Sequence, residues 1–302
     1  MNLKDVLEKA SFLIPALLLI FTFVIYPTIA TILLSFNINL IPGVNLVEGS
    51  TSLENYVKVL TSEEFINPTG LRTSSFPMGA IVHNVIWILI HLPATTILGL
   101  LLAVFLQNIK GSSIIRSMIF LGMVIPMVVG ALMIAFSFNK DMGIVPSIFK
   151  CLGILSLYKT WTSYPDTALL SLIIGSIWLW TGFSVTLYSA GLASIPKELI
   201  EAAKIDGAPF RVILFKIIIP LLRPVTVTVV AMTILWVLKI FDIVYVATRG
   251  GPGGASMVMA LLMWDYFARM NAYTLSATIA TLLTIIVLPV VILWIRYATR
   301  GE

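Results

Sequence analysis

Two charged side chains interrupt an otherwise apolar stretch of this chain. Lys239 and Asp242 lie in a run from Pro224 to Val246 that is long enough to cross a lipid bilayer. Residues three apart share one face of a helix, so the spacing predicts that the two side chains can pair. Ionisable groups within a membrane are functional candidates, although Lys239 can also extend its ammonium group to the interface. A structural ion pair and a role in a polar pathway both remain open.

Two histidines occupy a second apolar run. His83, Trp87 and His91 recur every four residues, which places the two imidazoles about 12 Å apart along a helix axis. This separation is too large for one metal ion without other ligands, and no Cys, Asp or Glu accompanies the histidines in the run from Ala80 to Leu106. We therefore expect buried, hydrogen-bonded imidazoles and no metal site.

The sequence contains no recognisable catalytic set. Cys151 is the only cysteine, which excludes a disulfide within the chain. We find no Gly-x-x-x-x-Gly-Lys-Ser/Thr phosphate loop, no His-Glu-x-x-His and no Gly-x-Ser-x-Gly sequence. Basic residues are scattered, which argues against nucleic-acid binding. We predict a protein that is not an enzyme, needs no cofactor and cannot hydrolyse ATP through a phosphate loop of its own.

The elements that must position these residues follow from the composition. The 302 residues are 59% apolar and 11% charged, whereas soluble domains are about 45–50% apolar and about 25% charged. The pattern predicts an all-α, polytopic integral membrane protein with six transmembrane helices. The predicted spans are Phe12 to Phe36, Ala80 to Leu106, Ser117 to Phe138, Ala168 to Leu192, Pro224 to Val246 and Thr274 to Trp294.

The distribution of basic residues predicts the orientation. The first apolar run has about 25 residues, too many for the core of a signal peptide, so we expect it to remain as a helix. If the N-terminus is inside the cell, eleven Lys and Arg residues lie in inside segments and seven in outside segments. The positive-inside rule therefore favours both termini inside.

The segment between the fourth and fifth spans, residues 193–220, predicts a helix–turn–helix outside the membrane. Pro196 suits the start of a helix over Lys197 to Ile205, and Asp206-Gly207 is typical of a helix end. A second helix can run from Pro209 to Pro220. One interpretation is an interfacial helix that lies on lipid headgroups, and the other is a docking surface for a cytoplasmic partner.

The same segment resembles a family motif. Glu201-Ala202-Ala203, followed by Gly207 and by Ile217-x-Ile219-Pro220, is similar to the EAA motif of the membrane subunits of binding-protein-dependent ABC importers. Ile219 stands where this family usually has Leu. Phe241-Asp242, followed by Thr248-x-Gly250-Gly251-Pro252, further resembles the carbohydrate-type permeases of maltose and glycerol-phosphate transporters.

The resemblance implies the transmembrane domain of a type I ABC importer in the cell membrane. Residues 1–79 would hold the first helix and a long outside loop, and residues 80–302 the five-helix core with a coupling loop at 193–220. The implied partners are a second homologous permease, two cytoplasmic ATP-binding subunits and an external sugar-binding protein. The residues implied to couple to the ATP-binding subunits are Glu201, Ala202, Ala203, Asp206 and Gly207.

The expected substrate is a sugar, because hydroxyl-matching groups mix with aromatic residues on the fourth and fifth spans. In similar maltose-type subunits, substrate contacts lie on these two helices. The predicted pathway residues are Trp180, Gly182, Ser184, Thr233, Trp236 and Ile240. Val237 and Ile240 offer no hydrogen bond where one would be useful, which departs from a maltose site. Glycerol phosphate or another polyol is the alternative substrate, and a stand-alone secondary carrier is the alternative class.

Overall fold

The computed structural model describes residues 13–38, 53–107 and 109–299, and every regular element in these ranges is helical. The predicted start of the first span at Phe12 lies outside the described residues, as do Lys4, Lys9 and Arg300. In chain order the helices are α1 (Leu13–Ser35), α2 (Glu54–Thr61), α3 (Pro68–Thr73), α4 (Ala80–Phe105), α5 (Ser112–Val124), α6 (Met127–Ser137), α7 (Ile144–Cys151), α8 (Pro165–Ala193), α9 (Lys197–Ile205), α10 (Phe210–Leu221), α11 (Arg223–Leu238), α12 (Asp242–Ala247), α13 (Met259–Ala268) and α14 (Tyr273–Thr299).

Four of these helices are long and apolar enough to cross a membrane without interruption, namely α1, α4, α8 and α14. Two further pairs of helices pass the same test when each pair is joined across a bend. These are α5 with α6, bent by 102°, and α10 with α11, bent by 68°. The described residues therefore hold four to six candidate spans, in agreement with the predicted polytopic helical fold.

The third predicted span, Ser117 to Phe138, is not one straight helix. It begins earlier, at Ser112, and breaks between Val124 and Met127. Pro126 explains the break, because a proline disfavours helical backbone in the residue before it. Ile125 accordingly adopts an extended conformation, with ψ of 131°.

The fifth predicted span, Pro224 to Val246, also breaks. Its first part is α11, which ends at Leu238, and its second part is the short helix α12 from Asp242. No proline lies at this break. Instead the buried amide of Asn84 donates to the carbonyl oxygen of Val237 at 3.0 Å, and its oxygen accepts the Met259 N–H at 2.9 Å. The side chain of Asn84 thus satisfies the Val237 carbonyl, which a continuous helix would pair internally, and the N–H of the first residue of α13.

The described chain divides into two compact units. Of the described residues, one unit comprises 13–38, 53–62 and 262–285, and the other 63–107, 109–261 and 286–299. In the first unit, α2 is tied to the end of α1, since Asn55 donates to the Ser35 carbonyl at 3.1 Å and Tyr56 shares a hydrogen bond with the Ser35 hydroxyl at 2.7 Å. The division at residue 79 was made by expected role and stays a prediction.

Helix α8 lies at the centre of the second unit. Leu169, Leu172, Ile173 and Leu179 along it are fully buried in an apolar cluster that also includes Trp87. A second cluster packs the far end of α8 against α10 through Tyr188, Leu192, Ile213 and Leu214. Helix α8 therefore has extensive packing at both of its ends.

Three short helices were not anticipated from the sequence, namely α3, α7 and α13. They have 6, 8 and 10 residues, which is too short for a clear periodic signal in so apolar a chain. The helix pair expected over residues 197–220 is present as α9 and α10.

Candidate functional site

A stack of four rings crosses the middle of the second unit. His91 on α4 stacks on Trp236 of α11 with ring centroids 5.1 Å apart, and Trp236 stacks on Trp180 of α8 at 4.7 Å. Phe183, one turn along α8, lies 4.9 Å from Trp180. The indole N–H of Trp180 donates to the Thr233 hydroxyl at 2.9 Å. The stack therefore joins three helices through aromatic faces and fixes the orientation of Trp180.

One face of this stack opens into a cavity of about 360 Å³. Trp180, Phe183 and Trp236 form an aromatic wall, and Ile240 adds an aliphatic surface. Met127 lies at the start of α6, and Lys239 lies at the end of α11, so the breaks in the third and fifth predicted spans meet at the same cavity. Breaks in transmembrane helices commonly mark binding sites, because the exposed backbone and side chains there face a cavity.

The charged residues of the fifth span line this cavity without pairing. Lys239 and Asp242 are both exposed, and no ion pair joins them among the residues that the structure describes. Of the two alternatives, the structural ion pair is not formed, because the three-residue spacing assumed a continuous helix and the helix ends between Lys239 and Asp242. The break instead presents an ammonium group and a carboxylate to one cavity.

The six residues predicted to line a pathway separate into three groups. Trp180, Trp236 and Ile240 line the cavity, and Thr233 lies behind the wall as the hydrogen-bond acceptor of Trp180. Gly182 is in close contact with α5, where an added Cβ would lie 2.9 Å from the Ile119 carbonyl oxygen. Ser184 is buried against α4 at Gly99.

Sequence reasoning missed several lining residues of the cavity. Phe183 was within reach, because it follows Trp180 by three residues and so shares its side of α8. Met127 was missed because its contribution depends on the break at Pro126, and the position of Asp242, which was identified as a candidate, depends on the break after Leu238. No local pattern predicts that these two breaks meet in space.

The histidines serve different purposes. The Nε2 atom of His83 accepts the Met78 N–H at 3.0 Å, so its Nδ1 carries the proton and donates to the Met257 carbonyl at 2.7 Å. His83 thereby ties α4 to two loop segments, as expected of a buried structural imidazole. His91 is buried as expected, but neither of its ring nitrogens has a hydrogen-bond partner among the described residues, so it contributes only a ring face to the stack. Within the described ranges no three His, Cys, Asp or Glu side chains converge as a metal site would require.

The second region of interest is the outward surface of α9. Glu201, Ala202, Asp206 and Gly207 are exposed, and Ala203 is half-buried. We call these five residues the α9 surface. Ile200 and Ala203 pack α9 against the second apolar cluster, which contains Leu192 and Ile213. The apolar side chain of Ile205, next to these residues, is 86% exposed.

The end of α9 has a well-defined cap. The Ala208 N–H donates to the Ala203 carbonyl at 2.9 Å, and the Gly207 N–H to the Lys204 carbonyl at 3.0 Å. This is a Schellman arrangement, and it requires the positive φ of 75° that Gly207 adopts. A Cβ at Gly207 would meet no atom within 4 Å. Glycine is therefore needed here for backbone conformation, and the space beside it is open.

Four uninterrupted apolar helices and two bent helix pairs are typical of a multi-pass membrane protein. Residues 95–300 match the family of binding-protein-dependent transport system inner membrane components, and the chain belongs to this family. It is therefore a permease subunit of an ABC transporter and not an enzyme. The predicted family and its membrane location are confirmed.

The chain is similar to named permeases over nearly its full length. A probable ABC transporter permease protein of Pyrococcus horikoshii is 58% identical, over 90% of this chain and 92% of the relative. The trehalose/maltose transport system permease protein MalF of Thermococcus litoralis is 30% identical, over 94% of this chain and 91% of the relative.

A solved structure shares the fold. The crystal structure of a bacterial ABC transporter involved in the import of the acidic polysaccharide alginate contains a chain that superposes with a TM-score of 0.78. The match covers 98% of this chain and 96% of that chain, at 18% sequence identity. The predicted all-α importer fold is confirmed.

Proposed function

We propose that this permease forms half of the translocation pathway for a neutral sugar, and that the cavity beside Trp180 and Trp236 holds the sugar in transit. The carrying observation is the stacked aromatic wall facing one unpaired ammonium group and one unpaired carboxylate. The volume of the cavity, about 360 Å³, is within the range of about 300–1,000 Å³ that is usual for small-molecule sites.

The aromatic wall supports a sugar more than a small polar ion. The C–H face of a pyranose ring is apolar and matches the flat faces of Trp180 and Trp236. The indole N–H of Trp180 donates to the Thr233 hydroxyl, so the orientation of this ring is fixed before a substrate binds. A preorganised wall lowers the ordering cost of binding.

The charges in the cavity support a neutral substrate. Lys239 and Asp242 can each hydrogen-bond sugar hydroxyls, since an ammonium group donates and a carboxylate accepts. Together they balance in charge, so an anion such as glycerol phosphate would gain from Lys239 and lose at Asp242. The similarity to a trehalose/maltose permease supports the same substrate class. These two side chains supply the polar groups that Val237 and Ile240 do not.

We further infer that the α9 surface contacts a cytoplasmic ATP-binding subunit and that both termini lie inside the cell. This rests on the basic residues of the inside segments, on the EAA-type sequence and on the exposure of Glu201 and Ala202. The complete transporter would contain two such ATP-binding subunits, a second homologous permease and an external sugar-binding protein.

Helix α8 offers a direct mechanical link between the two regions. It ends at Ala193, three residues before Pro196, the N-terminal cap of α9. Both helices pack in the second apolar cluster. Trp180 lies 13 residues before that end, or about 20 Å along the same helix. A displacement of α9 on closure of the ATP-binding subunits would therefore move the aromatic wall of the cavity.

Reconstitution into proteoliposomes tests the proposal. We expect ATP-dependent uptake of a neutral disaccharide only when the chain is assembled with the second permease, the ATP-binding subunits and a loaded binding protein. Glycerol phosphate, supplied to the same assembly, should not be taken up. Sugar uptake by this chain alone, driven by an ion gradient, would contradict the proposal and favour the secondary-carrier alternative.

A further inference from the structure

A second cavity, of about 480 Å³, lies between α5 and α8, and its lining residues are different from those of the aromatic cavity. Its polar end contains Ser112, Ser113, Arg116, Ser117 and Ser189. Among the described residues that line it there is no Asp or Glu. Whereas the aromatic cavity holds one charge of each sign, this one has a single positive charge surrounded by hydroxyl groups.

The hydroxyl of Thr186 in this cavity donates to the Gly182 carbonyl at 2.8 Å, but other hydroxyl groups that line it are not satisfied within the described chain. In α14 the hydroxyls of Thr278, Thr281 and Thr284 each donate to the carbonyl four residues earlier, as is usual in apolar helices. By contrast, the Oγ atom of Ser189 is buried and has no hydrogen-bond partner among the described residues. The side chains of Ser113 and Ser117 likewise make no hydrogen bond within the described chain.

The guanidinium group of Arg116 also has a donor without a partner in the described chain. One of its terminal nitrogens donates to the Leu106 carbonyl at 3.1 Å, which holds the side chain in place. Its Nε–H is buried and has no partner in the described structure. A buried donor without an acceptor is costly unless a ligand supplies one, and a guanidinium group fits phosphate oxygens particularly well.

The other end of the same cavity is apolar. Phe120, Leu121 and Val124 follow Arg116 along α5 and are exposed on the cavity side. Val124 is eight residues beyond Arg116, or about 12 Å along the helix. The cavity thus offers a cationic, hydroxyl-rich end and an apolar extension of the length that part of an acyl chain would cover.

We propose that this cavity binds an anionic phospholipid, with the headgroup phosphate at Arg116 and the neighbouring serines and an acyl chain along Phe120 to Val124. Basic pockets between transmembrane helices are a recognised form of lipid site. The phosphate chemistry alone would also suit a soluble phosphate, but the apolar extension favours a lipid. With the proposed orientation of the permease, Arg116 would lie on the cytoplasmic side and the lipid would belong to the cytoplasmic leaflet; the site itself does not depend on that orientation.

The test compares lipid retention by the purified transporter and two matched variants. Arg116→Gln removes the charge in the cavity, and Lys110→Gln removes an exposed charge from the turn before α5, outside the cavity. Native mass spectrometry would count phosphatidylglycerol and phosphatidylcholine that stay bound after exposure to an equal mixture. We expect preferential retention of phosphatidylglycerol, reduced about fivefold by Arg116→Gln and unchanged by Lys110→Gln.

A second variant distinguishes a loss of lipid binding from a folding defect. Ser117 is exposed, so Ser117→Leu should fold normally while it narrows the polar end, and it should also reduce phosphatidylglycerol retention. Equal retention of the two lipids by the wild-type transporter would overturn the proposal, as would unchanged retention in both cavity variants. Thermal stabilisation by inorganic phosphate as large as that by phosphatidylglycerol, and lost in Arg116→Gln, would overturn the assignment to a lipid.

Discussion

The α9 surface and the aromatic cavity differ in how their residues are brought together. The α9 surface comes from seven consecutive positions, Glu201 to Gly207, shaped by one helix and its glycine cap. The cavity draws on α6, α8, α11 and α12 and on two helix breaks. A local surface depends on a few backbone angles, whereas the cavity depends on the packing of the whole second unit. Substitutions in the two regions should therefore fail in different ways.

The largest effect is expected at Gly207. Alanine there must adopt a left-handed conformation at a cost of about 1–2 kcal/mol, although nothing obstructs its Cβ. If the α9 surface contacts an ATP-binding subunit, Gly207→Ala should reduce ATP-driven uptake at least about 30-fold, as at an interface hot spot. Gly153 has the same φ of 76° and equally open space, so Gly153→Ala is the matched control and should transport normally. Equal losses in the two variants would show that only backbone strain was measured.

Charge reversal at Glu201 also tests the α9 surface. Glu201→Lys changes an exposed side chain on α9, so the permease should insert and fold as before. We expect coupled uptake to fall at least tenfold, because a mismatched charge at an interface is strongly unfavourable. Binding of the ATP-binding subunits in a pull-down should fall in parallel. Glu198→Lys, one turn earlier on the same helix and outside the five-residue surface, provides the comparison.

In the cavity, we expect Asp242→Asn to reduce uptake of a neutral sugar about tenfold, since a charged hydrogen bond contributes about 1.5–3 kcal/mol. The variant leaves Lys239 as the only charge lining the cavity, so anionic glycerol phosphate should compete with sugar uptake where it does not in the wild type. Sugar and glycerol phosphate competition in proteoliposomes gives both results. If Asp242→Asn and Lys239→Gln leave the sugar KM and the competition unchanged, the two charges have no part in recognition.

The smallest effect is expected at Thr233. Thr233→Val removes the acceptor of the Trp180 indole N–H, and a hydrogen bond of this kind contributes about 1 kcal/mol. Uptake should therefore weaken about fivefold, mainly through a higher KM, because Trp180 loses its fixed orientation. Thr228 lies on the same helix as Thr233 but away from the cavity. Its hydroxyl accepts a similar hydrogen bond from the indole N–H of Trp294 at 3.4 Å. Thr228→Val should leave the KM unchanged, and a matching rise there would assign the effect to helix packing.

The fold was predictable where the signal was local. Long apolar runs indicated α1, α4, α8 and α14 within a few residues, and the sequence from Pro196 to Pro220 indicated the two helices around Gly207. Pro126 contained the information for the break between α5 and α6, but it was not used. The break after Leu238 has no such residue, since the clamp by Asn84 comes from a helix about 150 positions earlier.

The candidate cavity was predictable only in part for the same reason. Trp180 and Trp236 attract attention as aromatic residues on adjacent helices, and the structure stacks them at 4.7 Å. Gly182 and Ser184 have residue types that suit either a pathway or close helix packing, and the sequence does not say which neighbour each one meets. Lys239 and Asp242 were identified, but their geometry depended on a break that helical spacing does not reveal.

The central claim is that the aromatic cavity holds the sugar, and two tryptophans of α8 test it most directly. Trp180 lines the cavity, whereas Trp178 lies two residues away on the same helix, exposed and outside the cavity. We predict that Trp180→Ala in the assembled transporter lowers ATP-driven sugar uptake at least tenfold, since such an aromatic contact can contribute about 2 kcal/mol. Trp178→Ala should retain wild-type uptake. Equal uptake in both variants, at equal amounts of assembled transporter, would contradict the account.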